Sequence, residues 1–246
     1  MNYVESKLLQ TEALIQSGLD AKKTSAVLDL LGLNVPAEEL SAYRLWGDYL
    51  PKGIEEPYTE EQRFLHILWE AVDRSPIAIN CAFSIPFRAQ IAKKLFKKCG
   101  EGFIANEGCR FNYGHKIEVG DNVCWNHCCY IDSKGGVKFG DYSMMTEYSK
   151  IFTHGHSESD HTVRSYAPVE IKEYAKIYTN CTILPGVTVG KSAIVATGAI
   201  VTKSVDDFTL VAGIPAKPLR NRKMEDDDLS LLNHYTFADA AFQVKK

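Results

Sequence analysis

From Ile171 onward an aliphatic residue recurs at every sixth position: Ile171, Ile177, Ile183, Val189, Val195 and Val201. Four positions after each stands a small residue: Ala175, Cys181, Val187, Ala193, Ala199 and Val205. The same beat carries Val119, Trp125 and Ile131, and then Phe139, Met145 and Ile151 after a two-residue slip at Gly135-Gly136. Six is neither the period of a helix nor that of a strand. It is the hexapeptide signature of a parallel β-helix, in which three short faces make a triangular coil and coils stack at about 4.8 Å. The large residue of each hexapeptide fills the prism and the small one sits where the chain turns. Cys129 and Cys181 then read as corner or core residues rather than nucleophiles. Trp125 is too bulky for a slim prism, so its face is expected to be distorted or its ring turned outward. The repeats predict about four to five coils.

The beat stops between Ile151 and Val169, and residues 154–168 form an excursion. It opens with 153-THGHSESDH-161, which holds three of the seven histidines. Loops projecting from a rigid scaffold often carry function. His154 and His156 stand where the coil ends, and His161 is expected further out on the loop.

The first part of the chain has a helical rhythm. KLLQTEALIQ and TSAVLDLLG place apolar residues three and four apart. Thr59-Glu60-Glu61-Gln62 is a capping box ahead of FLHILWEAV. Pro36, Pro51, Pro57, Pro76 and Pro86 are read as breaks, and Gly100 as the stop of a last helix. The expected organisation is a helical region over 1–102, a β-helix over 103–223 with the projecting loop 154–168, and a polar tail over 224–246. The helical region reads as a packing and oligomerisation module, or as a wall of the acceptor pocket.

A net charge of −3 argues against a nucleic-acid binder. No apolar run reaches membrane-spanning length, so no membrane span is expected. Seven cysteines without a C-x-x-C spacing favour reduced thiols, and with no secretory apolar segment the expected location is cytoplasmic.

Over 104–223 the chain resembles the hexapeptide acyltransferases, most closely the maltose and galactoside O-acetyltransferases. PGVTVG, GAIVTK and VAGIPAK, in that order within 183–220, carry the resemblance. It implies a left-handed β-helix that assembles as a homotrimer with active sites between subunits. It also implies direct transfer of an acetyl group from acetyl-CoA to a sugar or nucleotide-sugar hydroxyl, with no resident metal. In that family a Gly-His at the start of the projecting loop supplies the general base, and Gly155-His156 matches it. His154 is the alternative base, one register shift away. A neutral imidazole suits the task because the hydroxyl must lose its proton as it attacks the thioester.

VCWNHCCYID resembles the acceptor side, with Asn126 and Asp132 as hydrogen-bonding groups and Trp125 as a surface for a sugar ring. Asn126 and Asp132 read equally as turn residues. By resemblance Asn180, Gly198, Ala199 and Thr202 meet the pantetheine arm, and Lys203, Arg220 and Arg222 the phosphates. The bland reading of Lys217, Arg220, Arg222 and Lys223 is a solvated basic run that ends the domain.

Two metal readings compete with this one. H-x-H-x3-D-H misses the metallo-β-lactamase spacing, H-x-H-x-D-H. A γ-carbonic-anhydrase-like site on the same scaffold would use His127, His156 and His161 to bind zinc. A non-catalytic β-helix scaffold is the third reading.

Overall fold

Capping decides where the first helices begin. In this computed structural model, which describes residues 2–224 and 229–232, α1 (Tyr3–Gln16) starts at Asn2. The Asn2 side chain accepts from Glu5 N and the Glu5 carboxylate accepts from Asn2 N, both at 2.9 Å. Asp20 caps α2 (Ala21–Leu30) by accepting from Lys23 N at 2.8 Å. Two short helices follow prolines, α3 (Ala37–Ala42) after Pro36 and α4 (Pro51–Glu55) with Pro51 as its first residue. Thr59 and Gln62 close the predicted capping box on α5 (Glu60–Asp73), with bonds of 3.2 and 3.0 Å. This helix buries Phe64, Leu65, Leu68, Trp69 and Val72 and packs on α6 (Cys81–Leu95). Arg88 of α6 is fully buried and donates through Nε to Asp73 at 2.9 Å, the paired arrangement a buried charge requires.

The chain divides into two compact units, Met1–Phe96 and Lys97–Lys246. Two sequence expectations change at this boundary. Pro86 does not break the chain into pieces: it is the sixth residue of α6, where it forfeits one N–H bond. The helix ends at Leu95 rather than Gly100, because Lys98–Cys99 already forms the first strand of the second unit. Of the stretch 224–246, only Met224 and the short turn Leu229–Leu232 lie within the described residues.

The second unit is a parallel β-helix. Its first turn is β1 (Lys98–Cys99), β2 (Ile104–Ala105) and β3 (Arg110–Phe111), and its second is β4 (Ile117–Val119), β5 (Cys124–Trp125) and β6 (Tyr130–Ile131). The third is β7 (Val137–Phe139), β8 (Met144–Met145) and β9 (Lys150–Ile151), after which β10 (His154–His156) and β11 (Arg164–Tyr166) leave the coil. The fourth and fifth turns are β12 (Val169–Ile171), β13 (Lys176–Ile177), β14 (Thr182–Ile183), and β15 (Thr188–Val189), β16 (Ile194–Val195), β17 (Ile200–Val201). The coil closes with β18 (Thr209–Ala212), on which β19 (Lys217–Asn221) pairs antiparallel. The first face stacks β1, β4, β7, β12 and β15, the second β2, β5, β8, β13, β16 and β18, and the third β3, β6, β9, β14 and β17.

The solenoid therefore has five full turns and, in β18, the start of a sixth, slightly more than the four to five expected. The extra one at the start keeps the six-residue register through Cys99, Ala105 and Phe111, which pair with Val119, Trp125 and Ile131. Cys99 is only half-buried and none of the three is a branched aliphatic, so the beat does not sound there.

Trp125 is the second correction. It points into the prism with no exposed surface, its ring edge-on to Phe103 at 4.9 Å and tilted on Phe139 at 5.3 Å. Small Ala105 on one side of the stack and flexible Met145 on the other leave the room it needs.

Two edges of the prism are regular ladders. Between first and second faces, Asn122, Tyr142, Tyr174, Ser192 and Phe208 all adopt positive φ, between 53° and 60°. Side chains in that region carry a steric cost. It is offset because each of their amides donates to a carbonyl of the preceding coil, at 2.7–2.9 Å. Cys128, Tyr148, Asn180 and Gly198 repeat the device between second and third faces. The third edge is different. Extra residues enter there at 112–116, again at 132–136, and as the long excursion between β9 and β12.

Candidate active site

The insertions between successive faces of the coil fall on that third edge, and a cluster of buried polar groups lies there with them. Asp132 follows β6 directly and has no exposed surface. Its Oδ1 accepts from Lys134 Nζ at 2.9 Å, and its Oδ2 takes a short hydrogen bond from His154 Nδ1–H. Lys134 Nζ stands 3.4 Å from that same Nδ1. Thr153 ties the two turns together: its hydroxyl donates to the Asp132 carbonyl at 2.6 Å and accepts from Gly135 N at 2.8 Å. A Cβ at Gly135 would fall 2.6 Å from the Thr153 carbonyl oxygen, so this close approach needs glycine. One turn earlier, Ser133 Oγ accepts from Tyr113 N at 2.9 Å and donates to its carbonyl at 3.0 Å.

The excursion is an antiparallel hairpin, not an irregular loop. β10 pairs with β11 through His154–Tyr166, Gly155–Ser165 and His156–Arg164. Ser157 N donates to the Val163 carbonyl at 3.0 Å, which closes the tip. Within the tip, the Thr162 hydroxyl and amide both donate to Asp160 and hold its carboxyl below the usual range.

Because the hairpin folds back, His161 is not remote. Its ring stacks on His156 at 4.0 Å and 10°, and the His154 ring lies 5.4 Å from that of His156, edge to face. His156 is exposed, and its Nδ1–H donates to the His161 carbonyl at 3.0 Å. That bond sets the tautomer and leaves the Nε2 lone pair for another partner. Stacked parallel imidazoles do not converge on one point, and among the described residues no group of three or more His, Cys, Asp and Glu is arranged to hold a metal.

A cleft of about 760 Å³ lies beside the cluster along the first face, with Gly135, Gly136, Lys116, Lys138, Pro168 and Gly186 in its wall. Lys138 is engaged with Glu170 at 2.8 Å on the adjacent turn.

The other expected site residues scatter over the prism. Trp125 is enclosed and presents no ring to a sugar. Asn126 belongs to a ladder on the second-to-third edge: it accepts from Asn106 Nδ2 at 3.0 Å and donates to Glu147 at 2.9 Å. Asn180 and Gly198 sit on that same edge, one turn apart, and Asn180 Oδ1 accepts from Lys150 Nζ at 3.1 Å. Ala199 is fully buried, its N–H donating to the Ala196 carbonyl at 3.1 Å and its carbonyl accepting from Thr182 N at 2.9 Å. Thr202 and Lys203 follow β17 and are exposed, as is Arg220 on β19. Arg222 is not a free cation. Its guanidinium donates to the Ser192 carbonyl at 3.1 Å and the Tyr174 carbonyl at 3.5 Å, and burial lowers its pKa. Lys134 escaped the sequence reading. Its only signal was its place in the slip, two residues after Asp132.

No family model matches the chain. It is 30% identical over 151 residues to a Saccharomyces cerevisiae protein designated an acetyltransferase, covering 60% of this chain and 76% of that one. It is 28% identical over 157 residues to the galactoside O-acetyltransferase of Escherichia coli, covering 62% and 74%. Among solved structures, a galactoside acetyltransferase in complex with coenzyme A superposes with a TM-score of 0.60 at 25% identity, over 84% of this chain and 98% of that one.

Proposed function

The chain belongs to the hexapeptide-repeat acetyltransferases, and on that premise we propose that it transfers an acetyl group from acetyl-CoA directly to a hydroxyl of a sugar or nucleotide sugar, with His156 as general base. The observation that carries the base assignment is the hairpin that presents His156 at the edge of the coil, with Nδ1–H committed to the His161 carbonyl.

Acetyl-CoA supplies the acetyl group as an activated thioester. His156 Nε2 takes the acceptor's proton as its oxygen attacks the thioester carbonyl carbon. The C–O bond forms, the C–S bond breaks, and the imidazolium returns the proton to the departing thiolate. The backbone at exposed Asn180 and half-buried Gly198, with Thr202, suits the pantetheine arm, and Lys203 and Arg220 suit its phosphates. Asp132 is occupied by Lys134 and His154, so an acceptor role falls to other groups. These residues lie on different edges of one prism. A homotrimer that brings edges of neighbouring copies together would complete the site. Among the described residues no helix is long and apolar enough to cross a membrane, which suits a cytoplasmic enzyme.

The test is thiol release from acetyl-CoA against a panel of sugars and nucleotide sugars. His156→Ala is expected to lower kcat by about 10²–10⁴-fold, the range for loss of a general base. Full activity in that variant, with loss in His154→Ala, would move the base to His154.

A further inference from the structure

A lysine on a surface corner ordinarily sends its ammonium into water. Lys134 does the opposite. It turns back over its own corner, is 8% exposed, and delivers its ammonium to a carboxylate with no exposed surface. Burying both charges is costly unless each is partnered. The arrangement divides the Asp132 carboxylate between two donors, Oδ1 to Lys134 and Oδ2 to His154. Lys134 N also approaches Oδ1, at 3.4 Å, so the turn and the side chain orient the carboxylate together.

We infer that Lys134 is a positioning residue: it fixes Asp132 so that Oδ2 faces β10, and His154 then anchors the hairpin that carries His156 two residues on. The chain of contacts is short. Asp132 also receives Thr153 N at 3.5 Å and, through its carbonyl, the Thr153 hydroxyl at 2.6 Å. Thr153 and His154 are therefore tied to the Asp132 corner, and His154 begins the pairing with β11 that holds Gly155 and His156. Without the ammonium, a buried carboxylate keeps only one strong side-chain partner. It must then rotate toward solvent or draw water in, and either releases the root of the hairpin. A displacement of about 1 Å at a reacting group costs on the order of 10²-fold in rate.

The kinetic arm rests on the reading of His156 as the base; the exchange arm does not. Lys134→Met keeps the stem and removes the charge. It is expected to lower kcat by about 10²-fold while KM for acetyl-CoA stays within about twofold, and Lys134→Arg is expected to restore most of the rate. Asp132→Asn removes the carboxylate that Lys134 holds. If Lys134 acts through Asp132, the double variant Asp132→Asn/Lys134→Met is no slower than Asp132→Asn alone. Independent, multiplying losses would overturn the inference, as would wild-type kcat in Lys134→Met. Amide hydrogen exchange is read on the same proteins. Exchange over 154–166 is expected to quicken in Lys134→Met while the strands of the coil are unchanged. Unaltered exchange there would overturn the positioning role even if no acceptor were found. Should Lys134→Met fail to fold, the double variant, with no unpaired carboxylate, carries the exchange comparison against Asp132→Asn.

Discussion

At the scale of single residues, Lys176 places a second buried amino group away from the candidate site. It stands on β13, is 6% exposed, and donates to the Tyr142 carbonyl at 2.8 Å. Burial, and after it the charge of Arg222, pull its pKa from 10.5 down to about 8. The unfolded chain therefore binds more protons than the folded one between about pH 8 and 10.5, and this group's contribution to stability rises with pH through that window. Below the window it is a constant penalty on the order of 3 kcal/mol. Cys124 works against it from about pH 9, because burial pushes its thiol up to about 12 and the unfolded chain ionises first. Between pH 7.5 and 9, urea titrations are expected to show wild type gaining stability relative to Lys176→Met; a constant difference would refute the assignment. In the same range iodoacetamide should label exposed Cys128 and leave Cys124 untouched until unfolding.

At the scale of elements, the hexapeptide beat foretold which residues line the prism but not how large ones are seated. Trp125 kept the register, and only its partners, Ala105 and Met145, explain why it fits inside. The first turn gives no signal because half-buried Cys99 and buried Ala105 and Phe111 hold the register without a branched aliphatic side chain. The third-edge insertions were visible as slips, yet a slip carries no information about what fills it. The three-residue strands of the hairpin are too short for periodicity to register, and the return of His161 to His156 depends on backbone pairing across the tip. Asp132 and His154 were both singled out, but for different roles; their pairing joins corners of adjacent turns, 22 residues apart in sequence.

The seated Trp125 makes a sharp test of this packing. Trp125→Ala should cost about 3–5 kcal/mol, since the ring fills a site enclosed by Phe103, Phe111 and Phe139 that cannot collapse inside a hydrogen-bonded coil. Trp125→Phe should cost clearly less. Equal midpoints for the alanine variant and wild type in urea would show that the indole is not the plug of its turn.

At the scale of the whole molecule, a β-helix must stop without leaving strand edges open to another copy. After the fifth turn each face of this coil meets a different cover. On the first face, Val205 closes over β15: Gly190 N donates to the Val205 carbonyl and Val205 N to the Thr188 carbonyl, both at 2.9 Å. On the third, β17 is bracketed by Ile200 N to the Gly213 carbonyl at 3.1 Å and Ala216 N to the Ile200 carbonyl at 2.8 Å. On the second, the longest stack, β18 is covered by antiparallel β19, whose residues are all exposed and include Lys217 and Arg220. Reversing direction at that point prevents the parallel register from being extended by a further coil, and the cations discourage pairing in its place. Ile214 and Leu219, both more than half exposed, belong to this cover rather than to the prism. A chain ending at Gly213 loses Ala216 and β19 together, which uncovers two of the three faces. Since each turn of a solenoid is stabilised mainly by its neighbours, such a chain is expected to keep the spectrum of the coil while its sedimentation coefficient climbs with concentration beyond that of the full chain. Identical sedimentation of the two across the same concentrations would mean that β19 is not what closes the coil.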